Sequence, residues 1–191
     1  MSTHSDHAAF LRSWLRAPIR TGAIAPSGHR LVELAAAEIT PAEQPVVELG
    51  AGTGAVTAGL VARGIAPHRL ALVEANAEFA QRLRERYPGA RVFEMDAAEI
   101  DRVEAFFPGE RAGAFVSALP LSLLLPEAVE RLLASVFDRH LRDGGAFLQL
   151  ACSPRRALPR DRLDHLGLHV ERVGWVWANL PPVGVYRVRR R

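Results

Sequence analysis

The densest chemical signal is Val46-Val47-Glu48-Leu49-Gly50-Ala51-Gly52-Thr53-Gly54, an apolar run entering a glycine-rich turn. Glycines at a strand-to-helix turn let the backbone take positive φ and let a ligand approach without a Cβ in the way. The spacing is E-x-G-x-G-x-G. A dinucleotide site places its third glycine one residue later, as G-x-G-x-x-G, so that a pyrophosphate sits on the helix N-terminus. Glu48 is a poor neighbour for phosphates and a suitable one for a cation. The amino group and sulfonium of S-adenosylmethionine are such cations, so Glu48, Gly50, Ala51, Gly52, Thr53 and Gly54 are expected to hold that cofactor. A nicotinamide site and a purely structural turn are the alternatives.

Two further carboxylates close the following apolar runs. Glu74 ends Leu70-Ala71-Leu72-Val73-Glu74, where an acidic group accepts hydrogen bonds from ribose hydroxyls, with Ala75 beside it. Asp96 ends the next run and, with Ala97 and Ala98, is placed to meet an adenine amino group, or to cap the helix that follows. Ser117-Ala118-Leu119-Pro120-Leu121 closes a fourth run, in the place where methyltransferases that act on amines put substrate-side groups. Transfer of a methyl group to an amine is an in-line displacement by the nitrogen lone pair, so it requires alignment and an unprotonated nucleophile. Ser117, Leu119, Pro120, Gln149, Asn179 and Tyr186 are expected within reach of the acceptor. Ser117 and Tyr186 are the candidate catalytic groups, and the residues alone do not single out a base. Tyr186, Trp175 and Trp177 could form an aromatic cage for a quaternary ammonium.

Short β-branched or aliphatic runs separated by helical periods must position these groups, a pattern of βαβ units and a parallel sheet. Strands are expected at Pro45 to Leu49, Arg69 to Glu74, Arg91 to Met95, Gly113 to Leu119, Ala146 to Ala151, Val170 to Trp177 and Val183 to Val188. Helices are expected near Ala55 to Arg63, Ala77 to Arg86, Glu99 to Phe106, Glu127 to His140 and Arg156 to Leu166. The last two strands are too close for a crossover helix and must pair antiparallel. The fold class is therefore α/β: a Rossmann-like, seven-stranded, mostly parallel sheet with an antiparallel last strand, plus N-terminal helices. Residues 1–40 read as a helical segment and 41–191 as the cofactor-binding domain. Phe10, Leu11, Trp14 and Leu15 gather on one face of a first helix, flanked by Arg12 and Arg16. A turn-rich stretch from Thr21 to Gly28 follows, then a second helix marked by Leu31, Leu34, Ala35 and Ile39.

Composition narrows the class. With 49% hydrophobic and 24% charged residues the 191-residue chain has the make-up of one soluble globular domain, neither disordered nor fibrous. The single cysteine, Cys152, excludes an internal disulfide and is expected to pack rather than react. The histidines are scattered without ligand spacing, so no metal is expected, and surface positions are. All 24 cations are arginine, which suits phosphate contact through a bidentate fork or reflects coding bias alone. Arg189, Arg190 and Arg191 read as a solvated tail. The polar start lacks a signal-peptide pattern, and a cytoplasmic monomer is expected.

Phe10 to Pro18, Thr21 to Ser27, the Glu48 to Gly54 turn, Ser117 to Leu121 and Asn179-Leu180-Pro181-Pro182 together resemble the bacterial phospholipid N-methyltransferases of the Rhodobacter type, over nearly the whole chain. The resemblance implies stepwise S-adenosylmethionine-dependent methylation of phosphatidylethanolamine, up to phosphatidylcholine, at the inner face of the cytoplasmic membrane. It implies cofactor contacts at Thr21, Gly22 and Ser117, and it agrees with the first helix as a basic amphipathic segment whose Phe10, Arg12, Trp14 and Arg16 either meet an anionic membrane surface or pack on the domain. In similar proteins the late strand reads Q-F-T-Y where this chain has Gln149-Leu150-Ala151-Cys152, which bears on the number of methylations. The chain is also distantly similar to ribosomal RNA adenine dimethyltransferases, but Leu121 replaces the aromatic residue that stacks a flipped base. RNA methylation therefore ranks second, and a non-catalytic cofactor- or lipid-binding module third.

Overall fold

Val46–Leu49 (β1) is buried along its whole length, which leaves it no position but the interior of a sheet. It pairs in parallel with Leu70–Glu74 (β2) on one side and Ala112–Ser117 (β4) on the other. Arg91–Glu94 (β3) forms one edge against β2. Beyond β4 lies Leu141–Ala151 (β5), parallel to it. Val183–Arg190 (β7) then runs antiparallel between β5 and Leu168–Val176 (β6). The order is β3-β2-β1-β4-β5-β7-β6, which is the expected seven-stranded sheet with its antiparallel last strand. The computed structural model describes residues 26–152, 158, 160–177 and 182–191.

Helices cover both faces. Pro26–Ala37 (α1), Ala55–Ala62 (α2) and Ala77–Arg86 (α3) enclose one core, in which Ile39, Leu60, Ile65 and Leu83 meet Val46, Leu72, Val116 and Leu148. Pro126–Ser135 (α4) and the short Arg160–His165 (α5) cover the other, where Leu132, Val136, Phe137 and Leu163 meet Val47, Phe115, Phe147 and Val188. Successive strand residues alternate between these cores because side chains alternate across a pleated strand.

Several boundaries differ from the sequence reading, each for a local reason. Pro26, Ser27 and Gly28 form the first turn of α1 rather than the end of a loop, since a proline's preset φ and missing N–H suit a first helical turn. The stretch after β3 is a kinked 3-10 segment, Ala97–Arg102, in place of a regular helix to Phe106; Glu99 breaks the helical dihedrals. Strand β5 begins at Leu141, earlier than Ala146, and β7 runs on to Arg190. The terminal arginines are therefore not a free tail: Arg189 lies 3.8 Å from Glu171, Arg190 pairs with Asp138, and Arg191 with Asp164. Cys152 falls just past the end of β5 and is exposed instead of packed.

His140 is the other correction. Val136–His140 extends α4 by one wide π turn, which carries this histidine inward, edge-on to Phe106 with ring centroids 5.1 Å apart. It is 4% exposed, and its Nε2 has no hydrogen-bond partner among the described residues. Burial, reinforced by Arg139, holds the imidazole below its usual range. The fold therefore keeps it neutral while the unfolded chain protonates near pH ~6.5, so stability present above that pH is lost as pH falls through it. His140's share of the thermal midpoint is expected to fall between about pH 7 and pH 5, so the midpoint of wild type relative to His140→Phe should drop over that interval. A calorimetric pH series in which the two proteins keep a constant difference would remove His140 as the cause.

Candidate functional site

The rim formed by the C-terminal ends of the parallel strands gathers most of the expected residues. After β1 the chain turns through Gly50, Gly52 and Gly54 with φ of 75°, 54° and 79°, values that a side chain would strain. The turn is tied to β2 from two directions. Gly50 and Ala51 donate their N–H groups to the Val73 carbonyl at 2.9 and 3.2 Å, and Gly52 N–H donates to Glu74 Oε2 at 2.8 Å. Glu74 Oε1 accepts the Asn76 N–H at 2.7 Å, and the Asn76 side chain caps α3 through the N–H groups of Glu78 and Phe79. The Glu74 carboxylate, 1% exposed, thus connects the glycine turn to the start of α3. Each oxygen keeps a second lone pair.

Glu48 lies on the α2 side of β1. Its Oε2 accepts the Thr57 hydroxyl at 2.7 Å, while Oε1 is buried with no partner among the described residues. Burial pushes this carboxyl up to about 8, against the opposing hydrogen bond from Thr57 and with added repulsion from Glu74. It is a neutral acid at pH 7 until a cation or hydrogen-bond donor reaches it. Asp96 caps the 3-10 segment, its Oδ1 accepting the Ala98 N–H at 2.9 Å; the capping expectation holds, and Ala97 is buried beneath it.

On the opposite face of the sheet, register places Leu49, Ser117, Gln149 and Tyr186 side by side across β1, β4, β5 and β7. Ser117 Oγ accepts the Leu119 N–H at 3.4 Å. Gln149 donates from Nε2 to the carbonyls of Leu119 and Leu150 at 2.8 and 2.7 Å. Leu119 also closes over the glycine turn, since a Cβ on Gly50 would lie 2.9 Å from Leu119 Cδ2. The β1 and β4 ends are therefore one continuous wall, with Pro120 half-buried beside it. Strands β4 and β5 stand between Tyr186 and the glycine turn, so Tyr186 belongs to the far end of this wall. Trp175 meets Tyr186 edge-on at 6.1 Å and stacks with Trp177 at 5.7 Å; the Trp177 ring is 77% exposed.

Phe10, Arg12, Trp14, Arg16, Thr21, Gly22 and Asn179 lie outside the described residues. Among those described, no group of three His, Cys, Asp or Glu could hold a metal, and no helix is long and apolar enough to cross a membrane. Sequence reasoning missed Thr57 and Tyr87, whose hydroxyls donate to Glu48 and, at 3.3 Å, to the Gly54 carbonyl. Thr57 had a signal, since it lies three residues past Gly54 in the first turn of a helix leaving the strand. Tyr87 had none.

No family model matches the chain. An ornithine lipid N-methyltransferase of Singulisphaera acidiphila is 29% identical over 191 residues, covering 96% of each chain. Among solved structures, magnesium protoporphyrin IX methyltransferase from Synechocystis PCC 6803 with bound S-adenosylmethionine superposes with a TM-score of 0.67 at 13% identity, over 100% of this chain and 92% of that one. The glycopeptide N-methyltransferase MtfA, complexed with the same compound, gives 0.62 at 15% identity over 86% and 94%. The fold is that of the Rossmann-like class I methyltransferases.

The two buried carboxyls predict opposite responses. Glu48→Gln keeps an acceptor for Thr57 and removes a group that the unfolded chain ionises above pH ~4.5 but the fold does not until about 8. At pH 7 it should stabilise the ligand-free protein by on the order of 1–3 kcal/mol. Glu74→Gln turns an amide N–H2 toward one of two backbone N–H donors and should destabilise by about 1–3 kcal/mol. Denaturant midpoints of the two variants moving in the same direction would contradict this assignment.

Proposed function

We propose that this protein transfers methyl groups from S-adenosylmethionine to the amino nitrogen of a membrane lipid headgroup. The observation that carries the cofactor is the convergence of Glu48, Glu74 and Asp96 with the glycine turn on one rim. Two buried carboxyl groups behind the turn disfavour a pyrophosphate and suit a cationic ligand. The unpartnered Oε1 of Glu48 has room in its chemistry for a cation or donor, the free lone pairs of Glu74 suit ribose hydroxyls, and the outer oxygen of Asp96 suits an adenine amino group.

Bound S-adenosylmethionine supplies an electrophilic methyl group on a sulfonium centre. The chain's own part is to hold the acceptor nitrogen in line and to keep water away from it. Ser117, Leu119, Pro120 and Gln149 provide the wall beside the glycine turn on which an acceptor would rest, and no side chain there needs to form a covalent intermediate.

The lipid class is supported by the similarity to the ornithine lipid enzyme along nearly the whole of both chains, together with the Ser117 to Leu121 and N-terminal segments. Phosphatidylethanolamine, methylated stepwise as far as phosphatidylcholine, and ornithine lipid are the two headgroups that fit this reading. Both present an amine at a polar surface, so the protein works as a peripheral enzyme on the cytoplasmic face, with Phe10, Arg12, Trp14 and Arg16 in contact with anionic lipid. Leu121, buried at 1% exposure, offers no aromatic surface to a flipped base.

Incubation with methyl-labelled S-adenosylmethionine and vesicles of either lipid is expected to carry label into the organic phase, and mass spectrometry of the product gives the headgroup and the methyl count. Label appearing in added RNA instead, or calorimetry that detects NADH but not S-adenosylhomocysteine, would defeat the reading.

A further inference from the structure

Two buried polar atoms on the substrate side find no hydrogen-bond partner among the described residues. Gln149 is fully buried and Tyr186 is 3% exposed, yet Gln149 Oε1 and Tyr186 Oη have no hydrogen-bond partner among the described residues. Such atoms are few in folded proteins because each forfeits its hydration, and they ask for a ligand. The orientation of the Gln149 amide is not arbitrary. Its N–H2 group faces two carbonyls, Leu119 O and Leu150 O, so the oxygen must be the atom left over.

Both heads point to the same rim. Gln149 reaches Leu119, which lies beyond the end of β4 and against the glycine turn. The Tyr186 side chain folds back along β7 over Gly184, where a Cβ would stand only 2.7 Å from its hydroxyl oxygen. Because β7 runs antiparallel to β5, the direction from residue 186 to residue 184 leads toward the C-terminal rim. Any residue other than glycine at 184 would push the hydroxyl away. Gln149 and Tyr186 are register partners on adjacent strands, and Trp175, the register partner of Gly184 on β6, meets the Tyr186 ring edge-on.

The geometry points to Gln149 Oε1 and Tyr186 Oη as a pair of acceptors for the N–H groups of the substrate amine, which orients its lone pair and makes the site selective for nitrogens that still carry hydrogen. This rests on the amine-methylation reading above. A neutral primary amine offers two N–H donors to the pair and leaves its lone pair free. In the transfer that pair forms the N–CH3 bond as the S–CH3 bond breaks, the electrons of the broken bond stay on sulfur as a neutral thioether, and the ammonium formed gives one proton to solvent. A secondary amine has one donor left and a tertiary amine has none. The contacts are thus used up as methylation advances, and the third transfer is the disfavoured one.

The test uses the full chain saturated with S-adenosylhomocysteine, with binding read from tryptophan fluorescence, to which Trp175 beside Tyr186 contributes. Butylamine and butyltrimethylammonium are titrated first, then dihexanoyl phosphatidylethanolamine and its mono-, di- and trimethyl derivatives. Wild type is expected to hold butylamine roughly tenfold tighter than its quaternary analogue. Tyr186→Phe, which keeps the packed ring, and Gln149→Met should each erase most of that preference while S-adenosylhomocysteine binds as before. Equal affinities in wild type, or a preference that survives Tyr186→Phe, would overturn the inference. Discrimination between the two small amines without binding of any lipid would leave the acceptor pair standing and remove the lipid reading. In turnover, the dimethylated lipid should accumulate ahead of the trimethylated one.

Discussion

One carboxylate, that of Glu74, keeps the ligand-side rim in register. Its two oxygens accept a backbone N–H from Gly52 in the turn after β1 and another from Asn76 at the head of α3. The Gly52 bond is buried, where a hydrogen bond is electrostatically stronger than in water, and the Asn76 bond is partly so. A turn of glycines has little intrinsic preference for a single shape. Fastened at Gly52, and again through Val73, it becomes a fixed surface from which Glu48, Leu119 and the first turn of α2 take their positions.

Among the described residues six buried polar side-chain atoms lack a partner, and three of them, Glu48 Oε1, Gln149 Oε1 and Tyr186 Oη, lie near the C-terminal ends of the strands, two on the wall and one behind the glycine turn. They occupy both faces of the sheet at the level where β1 and β4 diverge, the place where open α/β sheets bind ligands. Desolvated groups left without partners lower stability, and the three at this rim suit a preformed site for a charged, donor-rich ligand. His140 belongs to a different category: it sits toward the opposite end of β4, beside Phe106, and bears on stability.

Much of this arrangement was legible in the linear chain, and the limits of legibility were local. The buried strands announced themselves because a central parallel strand is apolar on both faces, as in Val46-Val47-Glu48-Leu49 and Leu70-Ala71-Leu72-Val73. The hairpin of β6 and β7 followed from the shortness of its connection. The segment after Asp96 was misread because a helical spacing of apolar residues does not reveal a kink at Glu99. His140 was misread because a histidine after a charged pair looks exposed until a π turn rotates it inward.

What the amino-acid order determined by itself was the sheet's make-up, the glycine turn and the carboxylates at three strand ends, since periodicity and turn chemistry act over a few residues. Tertiary structure alone decided which atoms remain unpaired among the described residues. Glu74 spends both oxygens on backbone N–H groups, Thr57 takes one oxygen of Glu48, and Gln149 commits its donors to carbonyls thirty positions and one position away in sequence. Hydrogen-bond satisfaction is a property of groups that meet only after the chain has closed on itself, so no local pattern could have stated it.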